Sequence, residues 1–222
     1  MTAAADGFGE HLDAAAALVR RRTGLVFGEP RRAAFGAALT TLMRRANARD
    51  PAVYLTRLAA EPPLLDDLIA TITVGETYFF REPEQFATMR DRIIPALLAH
   101  RHHGQALRVW SAGCATGEEP YSLAILLRQL GLATAAHIVA TDLSRAALAR
   151  AHQARYTRWS LRGVPESVVQ AAFECAGGRF TLSPAIRDAV QFRYQNLAED
   201  VYPSLATDIW GMDLILCRNV LI

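Results

Sequence analysis

The sequence predicts an α/β protein in which an N-terminal all-helical domain, residues 1–98, precedes a doubly wound parallel sheet in residues 99–222. Helical spacing of apolar residues dominates the first hundred positions, and strand patterns alternate with helix patterns after position 106. About 35 residues before the third strand fit no simple crossover, which predicts a small inserted β-subdomain at about 155–188.

Five helices are predicted in the first domain, because apolar side chains recur every three or four residues between turn signals. These side chains are Leu12, Ala15, Ala16 and Val19; Phe35, Leu39, Leu42 and Met43; Val53, Tyr54 and Leu58; Leu64, Leu65, Leu68 and Ile69; and Phe86, Met89, Ile93, Ile94 and Leu97. Proline suits the first turn of a helix and glycine its end. The boundaries are therefore marked by Thr23-Gly24, Pro30, Asp50-Pro51, Pro62-Pro63 and the polar break at 100–105.

The second domain is predicted to contain four parallel strands separated by helices. The strands are Leu107–Ser111, His137–Thr141, Ala189–Tyr194 and Met212–Cys217. Helices are predicted over Glu119–Leu130 and Arg145–His152, and a further helix over Pro165–Phe173. Gly177-Gly178 followed by Arg179–Leu182 indicates the β excursion of the insertion. Ligands of such a sheet bind at the carboxyl ends of the strands.

Composition excludes several classes of protein. With 51% apolar and 21% charged residues the chain can bury a core, so it is not disordered. A net charge of +2 excludes a uniformly basic nucleic-acid coat, and every basic residue is arginine, which excludes a catalytic lysine. Cys114, Cys175 and Cys217 are widely separated and the histidines lack ligand spacing, so no metal and no disulfide framework is predicted. No apolar stretch is long enough for a membrane span.

Charge is segregated within the helical half. Residues 14–60 contain nine arginines and two acids, whereas residues 61–93 contain seven acids and three arginines. A solvated helix face explains this pattern as well as a docking surface for an acidic partner does. The candidate docking residues are Arg31, Arg32, Arg44 and Arg45.

Candidate ligand-binding residues follow the first two strands. Gly113 permits a tight turn, but its spacing from Gly117 does not fit the dinucleotide fingerprint, and Glu118 would repel a phosphate. Asp142, after the second strand, lies near the spacing at which an acid binds ribose hydroxyls, although it could equally cap the next helix. Two acids beside a phosphate-free turn predict S-adenosylmethionine, which combines a ribose with cationic amino and sulfonium groups.

Three blocks of sequence together suggest a family. They are Thr73–Glu82 (TVGETYFFRE), Arg108–Ser122 (RVWSAGCATGEEPYS) and Cys217–Ile222 (CRNVLI). They resemble the signature segments of the CheR-type chemoreceptor glutamate O-methyltransferases, and the resemblance is collinear along the whole chain. It implies an N-terminal helical domain and a class I (Rossmann-like) S-adenosylmethionine methyltransferase domain with an inserted β-subdomain.

The resemblance also implies cofactor contacts. Thr77 and Arg81 match the pair at the methionyl end, Glu118 the acid of the glycine turn, and Asp142 the ribose-binding acid. The adenine-side pair and the last contact block are matched by Asn196-Leu197 and Arg218-Asn219. Two simpler interpretations stay open: Arg81 could pair with a neighbouring glutamate, and Asn196 could be a turn residue.

The implied activity is methylation of specific glutamate side chains on the cytoplasmic signalling domain of a chemoreceptor, serving chemotaxis adaptation. The expected enzyme is a cytoplasmic monomer that binds neither nucleic acid nor metal and does not insert into a membrane. No catalytic side chain is predicted, because a glutamate with a pKa near ~4.3 is already ionised at neutral pH.

The chain also departs from the family pattern. Gly75 stands where family members often carry asparagine, and the sequence ends at Ile222, before the tyrosine near the methyl group and before the last three strands of the sheet. The expectation is a catalytic domain that is incomplete at its C-terminus. The alternatives are therefore an inactive or regulatory fragment of such an enzyme, or a methyltransferase that acts on a small molecule or RNA.

Overall fold

The computed structural model describes residues 3–73, 76–101 and 104–220, with side chains from residue 9 onward. The chain divides into two compact units. The first comprises Met1–Val74, Leu143–Ala146 and Asn196–Glu199, and the second comprises Gly75–Asp142, Ala147–Gln195 and Asp200–Ile222.

The first unit is built from helices α1 (Ala3–Thr23), α2 (Glu29–Arg45), α3 (Pro51–Ala60) and α4 (Pro62–Ile72). Gly24 ends α1 in the left-handed region at φ 76°, and the Asp50 carboxylate caps α3 by accepting from Ala52 N at 2.8 Å. One apolar core joins the helices through side chains such as Leu39, Tyr54 and Leu68. The helices follow the predicted apolar spacing closely.

The second unit begins earlier than the sequence predicts. Its first helical stretch consists of α5 (Pro83–Thr88), a π-helical turn (Met89–Ile93) and α6 (Ile94–Ala99). Phe86, Met89 and Ile94 on this stretch are buried in the core of the second unit, not in that of the first. The two compact units divide near residue 74, whereas the sequence predicts a domain boundary at residue 98; the apolar packing of this stretch assigns it to the second unit.

The strands of the second unit are, in chain order, β1 (Leu107–Ala112), β2 (Ala136–Asp142), β3 (Arg155–Thr157), β4 (Phe173–Ala176), β5 (Arg179–Leu182), β6 (Val190–Tyr194) and β7 (Leu214–Leu216). The helices beside them are α7 (Glu118–Gln129), α8 (Arg145–Gln153), α9 (Glu166–Ala172) and α10 (Pro184–Arg187), of which α8 begins in the first unit. The main sheet has the order β6-β2-β1-β7 with all neighbours parallel. This parallel sheet confirms the predicted α/β class.

A separate antiparallel sheet of order β3-β5-β4 lies between α8 and β6 in the chain. Its hairpin turns at Gly177-Gly178, where both residues have positive φ, as a two-residue turn between twisted strands requires. A 3-10 turn (Arg158–Leu161) follows β3. The ring of Tyr156 on β3 packs edge-on against Phe79 in the core of the second unit.

Among the residues that the structure describes, no helix is long and apolar enough to cross a membrane.

Candidate functional site

The turn after β1 lies at the point where the order of the main sheet reverses. The chain adds β2 and β6 on one side of β1 and then returns to place β7 on the other. Gly113 N and Cys114 N donate to Thr141 O at 2.8 and 2.9 Å, and Ala115 N donates to Asp142 Oδ2 at 2.8 Å. The turn is thus held against the carboxyl end of β2, at the position where sheets of this kind bind ligands.

Both glycines of this turn are required by its geometry. Gly113 and Gly117 have φ of 75° and 93°, a region that side chains rarely allow. A Cβ on Gly113 would lie 2.4 Å from Val220 Cγ2, and one on Gly117 would lie 3.0 Å from Ala151 Cβ. The glycines therefore allow the close approach of β7's C-terminal extension on one side and of α8 on the other.

Glu118 is a buried acid at the start of α7, with only 3% of its surface exposed. Thr116 Oγ1 donates to its Oε2 at 2.6 Å, and the hydroxyls of Thr77 and Ser160 also hydrogen-bond to its carboxylate. Burial raises the pKa of Glu118 above its usual value, and these hydrogen bonds offset only part of the shift. Thr77 and Glu118, which the sequence predicts separately as cofactor residues, are thus hydrogen-bonded to each other.

A second acid, Glu119, holds Arg218. Ser111 Oγ donates to Glu119 Oε1 at 2.7 Å, and Arg218 Nε donates to Glu119 Oε2 at 2.7 Å. The same guanidinium donates through Nη2 to Arg81 O at 2.9 Å and through Nη1 to Gln85 Oε1 at 2.8 Å. Arg218 therefore connects the residues after β7 to α7, to α5 and to the segment that precedes α5, with about 14% of its side chain exposed.

The remaining residues of the two motifs lie around this network. Arg81 donates through Nη1 to Glu76 O, and its guanidinium carbon lies 5.9 Å from the centroid of the Tyr78 ring, so within the described residues it contacts those before it and not the glutamates that follow it. Asn219 is exposed and adopts a left-handed φ of 56°, which asparagine tolerates better than most residues. Gly75 and Ile222 lie outside the described residues.

Asn196 and Leu197 belong to the first unit, whereas the other predicted cofactor residues belong to the second. Asn196 is buried, and its Nδ2 donates to Arg22 O at 3.0 Å. Its Oδ1 accepts from Ala198 N at 3.1 Å, a contact typical of a turn residue. A role in adenine binding stays a prediction for this pair.

Other reactive groups of the second unit are kept neutral by burial. Burial raises the pKa of the Cys114 thiol well above its usual value, and it likewise raises the pKa of the Tyr121 and Tyr156 phenols. Tyr156 OH donates to Thr116 O at 2.8 Å and so fixes the turn from the side of the small sheet. None of the three presents an ionised nucleophile at neutral pH.

Sequence reasoning missed three side chains that shape the site. Thr116 and Ser160 bind Glu118, and Glu119 holds Arg218. Glu119 and Thr116 lie close to Glu118 in the sequence, but their spacing alone does not indicate which side chain each would bind. Ser160 gave no signal, because it lies in the insertion, some forty positions away along the chain.

The candidate docking arginines all lie on α2, in the first unit. Arg31 and Arg32 occupy its first turn and Arg44 and Arg45 its last, about 20 Å apart along the axis. Arg32 is paired with Asp13 at 2.5 Å, whereas Arg44 and Arg45 are exposed. The described residues contain no group of three or more histidine, cysteine or acidic side chains that could hold a metal ion.

Comparison with known proteins identifies the family. Residues 75–222 match the family described as CheR methyltransferase, SAM binding domain. The chain belongs to the CheR methyltransferase family. It is 33% identical over 214 residues to the chemotaxis protein methyltransferase Cher2 of Pseudomonas putida, which covers 92% of this chain and 76% of that protein.

Two further CheR relatives agree with this assignment. Chemotaxis protein methyltransferase 1 of Pseudomonas aeruginosa is 33% identical over 213 residues, covering 92% of this chain and 76% of its own length. The chemotaxis protein methyltransferase of Listeria innocua is 37% identical over 169 residues, covering 76% and 62%. The resemblance drawn from the three sequence blocks is confirmed, and the protein is a CheR methyltransferase with an S-adenosylmethionine-binding domain.

Proposed function

We propose that this protein transfers the methyl group of S-adenosylmethionine to glutamate side chains of a chemoreceptor and so forms glutamate methyl esters for chemotaxis adaptation. The observation that supports this most directly is the pair of carboxylates, Glu118 and Asp142, beside the glycine turn at the carboxyl ends of β1 and β2. The relatives named chemotaxis protein methyltransferases support the same substrate class.

The groups present fit the cofactor chemically. Carboxylates suit ribose hydroxyls and cationic groups, and arginines suit a carboxylate. In this proposal Asp142 binds the ribose, Glu118 lies near the amino and sulfonium groups, and Arg81 with Thr77 serves the methionyl end. Asn196-Leu197 binds the adenine side, and Arg218-Asn219 with Gly113 completes the site. When bound, S-adenosylmethionine supplies an electrophilic methyl group on a sulfonium.

The protein's own part in the reaction is binding, orientation and exclusion of water. A glutamate substrate arrives ionised, so no proton has to be removed before transfer and no general base is needed. Holding both reactants in line lowers the activation free energy by up to about 7–11 kcal/mol. The neutral thiol of Cys114 and the neutral phenol of Tyr156 offer no competing nucleophile.

In the proposed arrangement the first unit is a helical docking domain and the small sheet is a subdomain inserted in the catalytic domain. The protein works as a cytoplasmic monomer, without a metal, on the cytoplasmic signalling domain of the receptor. Docking relies on the exposed pair Arg44 and Arg45, since Arg32 is already paired with Asp13.

Charge reversal tests the docking role. Changing Arg44 and Arg45 together to glutamate is expected to raise the KM for the receptor domain several-fold, because an acidic helix then meets like charge. Calorimetry is expected to show unchanged affinity for S-adenosylmethionine. A double variant of Arg90 and Arg92, which lie on another helical stretch, serves as the control. An unchanged KM in the α2 variant would mean that the pair is ordinary solvated surface.

Labelled S-adenosylmethionine tests the proposed substrate. The protein is incubated with a purified receptor signalling domain, with the same domain in which candidate glutamates are replaced by alanine, with bulk RNA, and with a small-molecule extract. The expected result is label in the unmodified domain and its loss in the substituted one. Label in RNA or in small molecules alone would favour the alternative substrates, and label nowhere would favour an inactive fragment.

A further inference from the structure

An arginine clamp formed by Arg162, Tyr78 and Trp159 lies on the second unit. The guanidinium carbon of Arg162 is 3.6 Å from the ring centroid of Tyr78 and 4.3 Å from that of Trp159. Arg162 Nη1 also donates to Trp159 O at 2.9 Å. Two cation–π contacts and one hydrogen bond thus fix the plane of the guanidinium.

Both segments that form the clamp also touch the buried acid of the candidate cofactor site. Thr77 precedes Tyr78, Ser160 follows Trp159, and the hydroxyls of both hydrogen-bond to Glu118. Phe79 N donates to Ser160 O at 2.8 Å and joins the two segments directly. The clamp is therefore adjacent to the site and is positioned by the same backbone.

Arg162 already binds one carboxylate. Its Nη2 lies 2.6 Å from Glu76 Oε1. The Glu76 side chain is 63% exposed, whereas that of Arg162 is 24% exposed and held between rings. Exposed ion pairs contribute only about 0–1 kcal/mol, so another carboxylate can replace Glu76 at little cost while the guanidinium stays fixed.

We infer that Arg162 binds and orients the carboxylate of the methyl-accepting glutamate, and that Glu76 occupies the same guanidinium until the substrate arrives. This inference rests on the proposed function, since it assigns a residue to the recognition of its substrate. Arg162 stays protonated throughout, because its role is to pair with the carboxylate and not to exchange a proton. The exposed Trp159, 68% of whose surface is accessible, then forms part of the entrance to the clamp.

The chain offers a matched control for Arg162. Arg158 begins the 3-10 turn that Arg162 follows, pairs with Glu166 at 2.9 Å, and has its guanidinium carbon 5.7 Å from the centroid of the Phe180 ring. It therefore also combines an exposed acid with an aromatic ring. No contact in the described structure joins Arg158 to Thr77 or Glu118.

The test compares Arg162→Gln, Arg162→Lys and Arg158→Gln in steady-state methylation of a receptor signalling domain. We expect the receptor KM to rise about tenfold or more in Arg162→Gln, since a charge-assisted contact is lost. Arg162→Lys is expected to recover part of this loss by keeping the charge. Arg158→Gln is expected to match the wild type, and calorimetric affinity for S-adenosylmethionine is expected to stay within about twofold in all three.

Glu76→Gln gives a second, opposite readout. Removing the competing carboxylate is expected to lower the receptor KM, whereas Glu166→Gln should leave it unchanged. This variant keeps the shape of the side chain, so it tests the inference even if Arg162→Gln does not fold.

The inference is overturned if Arg162→Gln and Arg158→Gln have the same receptor KM, or if Glu76→Gln raises that KM. It is also overturned if Arg162→Gln acts only by weakening the binding of S-adenosylmethionine. That result would mean that the clamp stabilises the cofactor site and does not bind the substrate. If the wild-type protein methylates the receptor, each of these results rejects the role of Arg162 alone. If the wild-type protein transfers no methyl group to the receptor, the proposed function and the inference fail together.

Discussion

At the scale of single residues, Glu118 is the most informative side chain of the protein. Burying an ionisable acid is unfavourable unless hydrogen bonds or a counter-charge compensate, and here three hydroxyl contacts compensate only in part. The pKa of Glu118 is raised because the cost of burying its charged form exceeds what these hydrogen bonds contribute. An acid of this kind is suited to a cationic ligand, whose charge would complete the compensation.

Glu118→Gln is expected to lower the affinity for S-adenosylmethionine and to raise the stability of the folded protein at neutral pH. The folded protein holds this carboxyl at a pKa above its ordinary value of 4.5, so the wild type loses relative stability as the pH rises from 4.5 through the raised value. The Tm of the variant minus that of the wild type should therefore increase from pH 4 to pH 8. Its affinity for S-adenosylmethionine should fall at least about tenfold.

Thermal melts over this pH range and calorimetry at neutral pH measure both effects. Glu166→Gln, an exposed acid on α9, is the control and should show neither change. A Tm difference that is independent of pH, or an unchanged affinity, would contradict the account of Glu118.

The residue scale also shows why the candidate site was only partly predictable. Glu118 and Asp142 were found because they follow strands, and strand ends can be located from apolar runs. The contact of Ser160 with Glu118 could not be found, since it depends on how the insertion folds back onto the glycine turn. Asn196 shows the opposite case, in which a motif match falls on a residue whose side chain bonds to the backbone of Arg22 and of Ala198.

At the scale of elements, the position of α7 depends on the packing of the glycine turn that precedes it. Gly117 has a positive φ, and an added Cβ would lie 3.0 Å from Ala151 Cβ and 3.2 Å from Phe192 Cζ. Gly131, at the other end of α7, also has a positive φ but has open space around it. A substitution at Gly131 therefore causes backbone strain only, whereas one at Gly117 causes backbone strain and overpacking.

Gly117→Ala is expected to destabilise the protein more than Gly131→Ala does. Strain alone costs about 1–2 kcal/mol at Gly131. Overpacking adds about 1–3 kcal/mol at Gly117 and displaces Glu118, so the affinity for S-adenosylmethionine should fall in that variant only. Denaturant unfolding and calorimetry test this, and equal losses of stability in the two variants would refute the packing argument.

The segment that leads into β7 is fastened to the main sheet by Asp208. Its Oδ1 accepts from Arg108 Nη2 at 2.5 Å and from Trp210 Nε1 at 3.1 Å, and its Oδ2 lies 2.5 Å from His137 Nε2. Burial alone would raise the pKa of Asp208, but the hydrogen bonds from Arg108 and His137 lower it below the usual value. The segment is thus anchored to β1 and β2 by one carboxylate.

Asp208→Asn is expected to lower the free energy of unfolding at pH 7 by about 1–3 kcal/mol. Because the folded pKa is lowered, the stabilisation is present above the ordinary value of 3.8 and is lost as the pH falls through the lowered one. The difference from the wild type should therefore shrink in acid. Urea unfolding at pH 7 and pH 3 measures it, with Asp188→Asn, an exposed pair with Arg187, as the control. A difference that is equal at both pH values would contradict the ion-pair account.

At the scale of the whole molecule, the alternation of strands and helices in the sequence sufficed to predict the parallel sheet. It could not place the boundary between the two units, because α5 and α6 have the same helical spacing as the helices before them. Their apolar faces meet the core that contains Leu107 and Tyr121, and only tertiary packing shows this. Helical content is local, whereas membership of a core is not.

The central claim is that this protein esterifies carboxylates, and the stability of the product in alkali tests it most directly. Wild-type protein is incubated with methyl-labelled S-adenosylmethionine and a receptor signalling domain, and the labelled product is treated with mild alkali. The account predicts that the label is released as methanol, because methyl esters hydrolyse under these conditions. Label that stays on the receptor after this treatment would show methylation of nitrogen or carbon and would contradict the account.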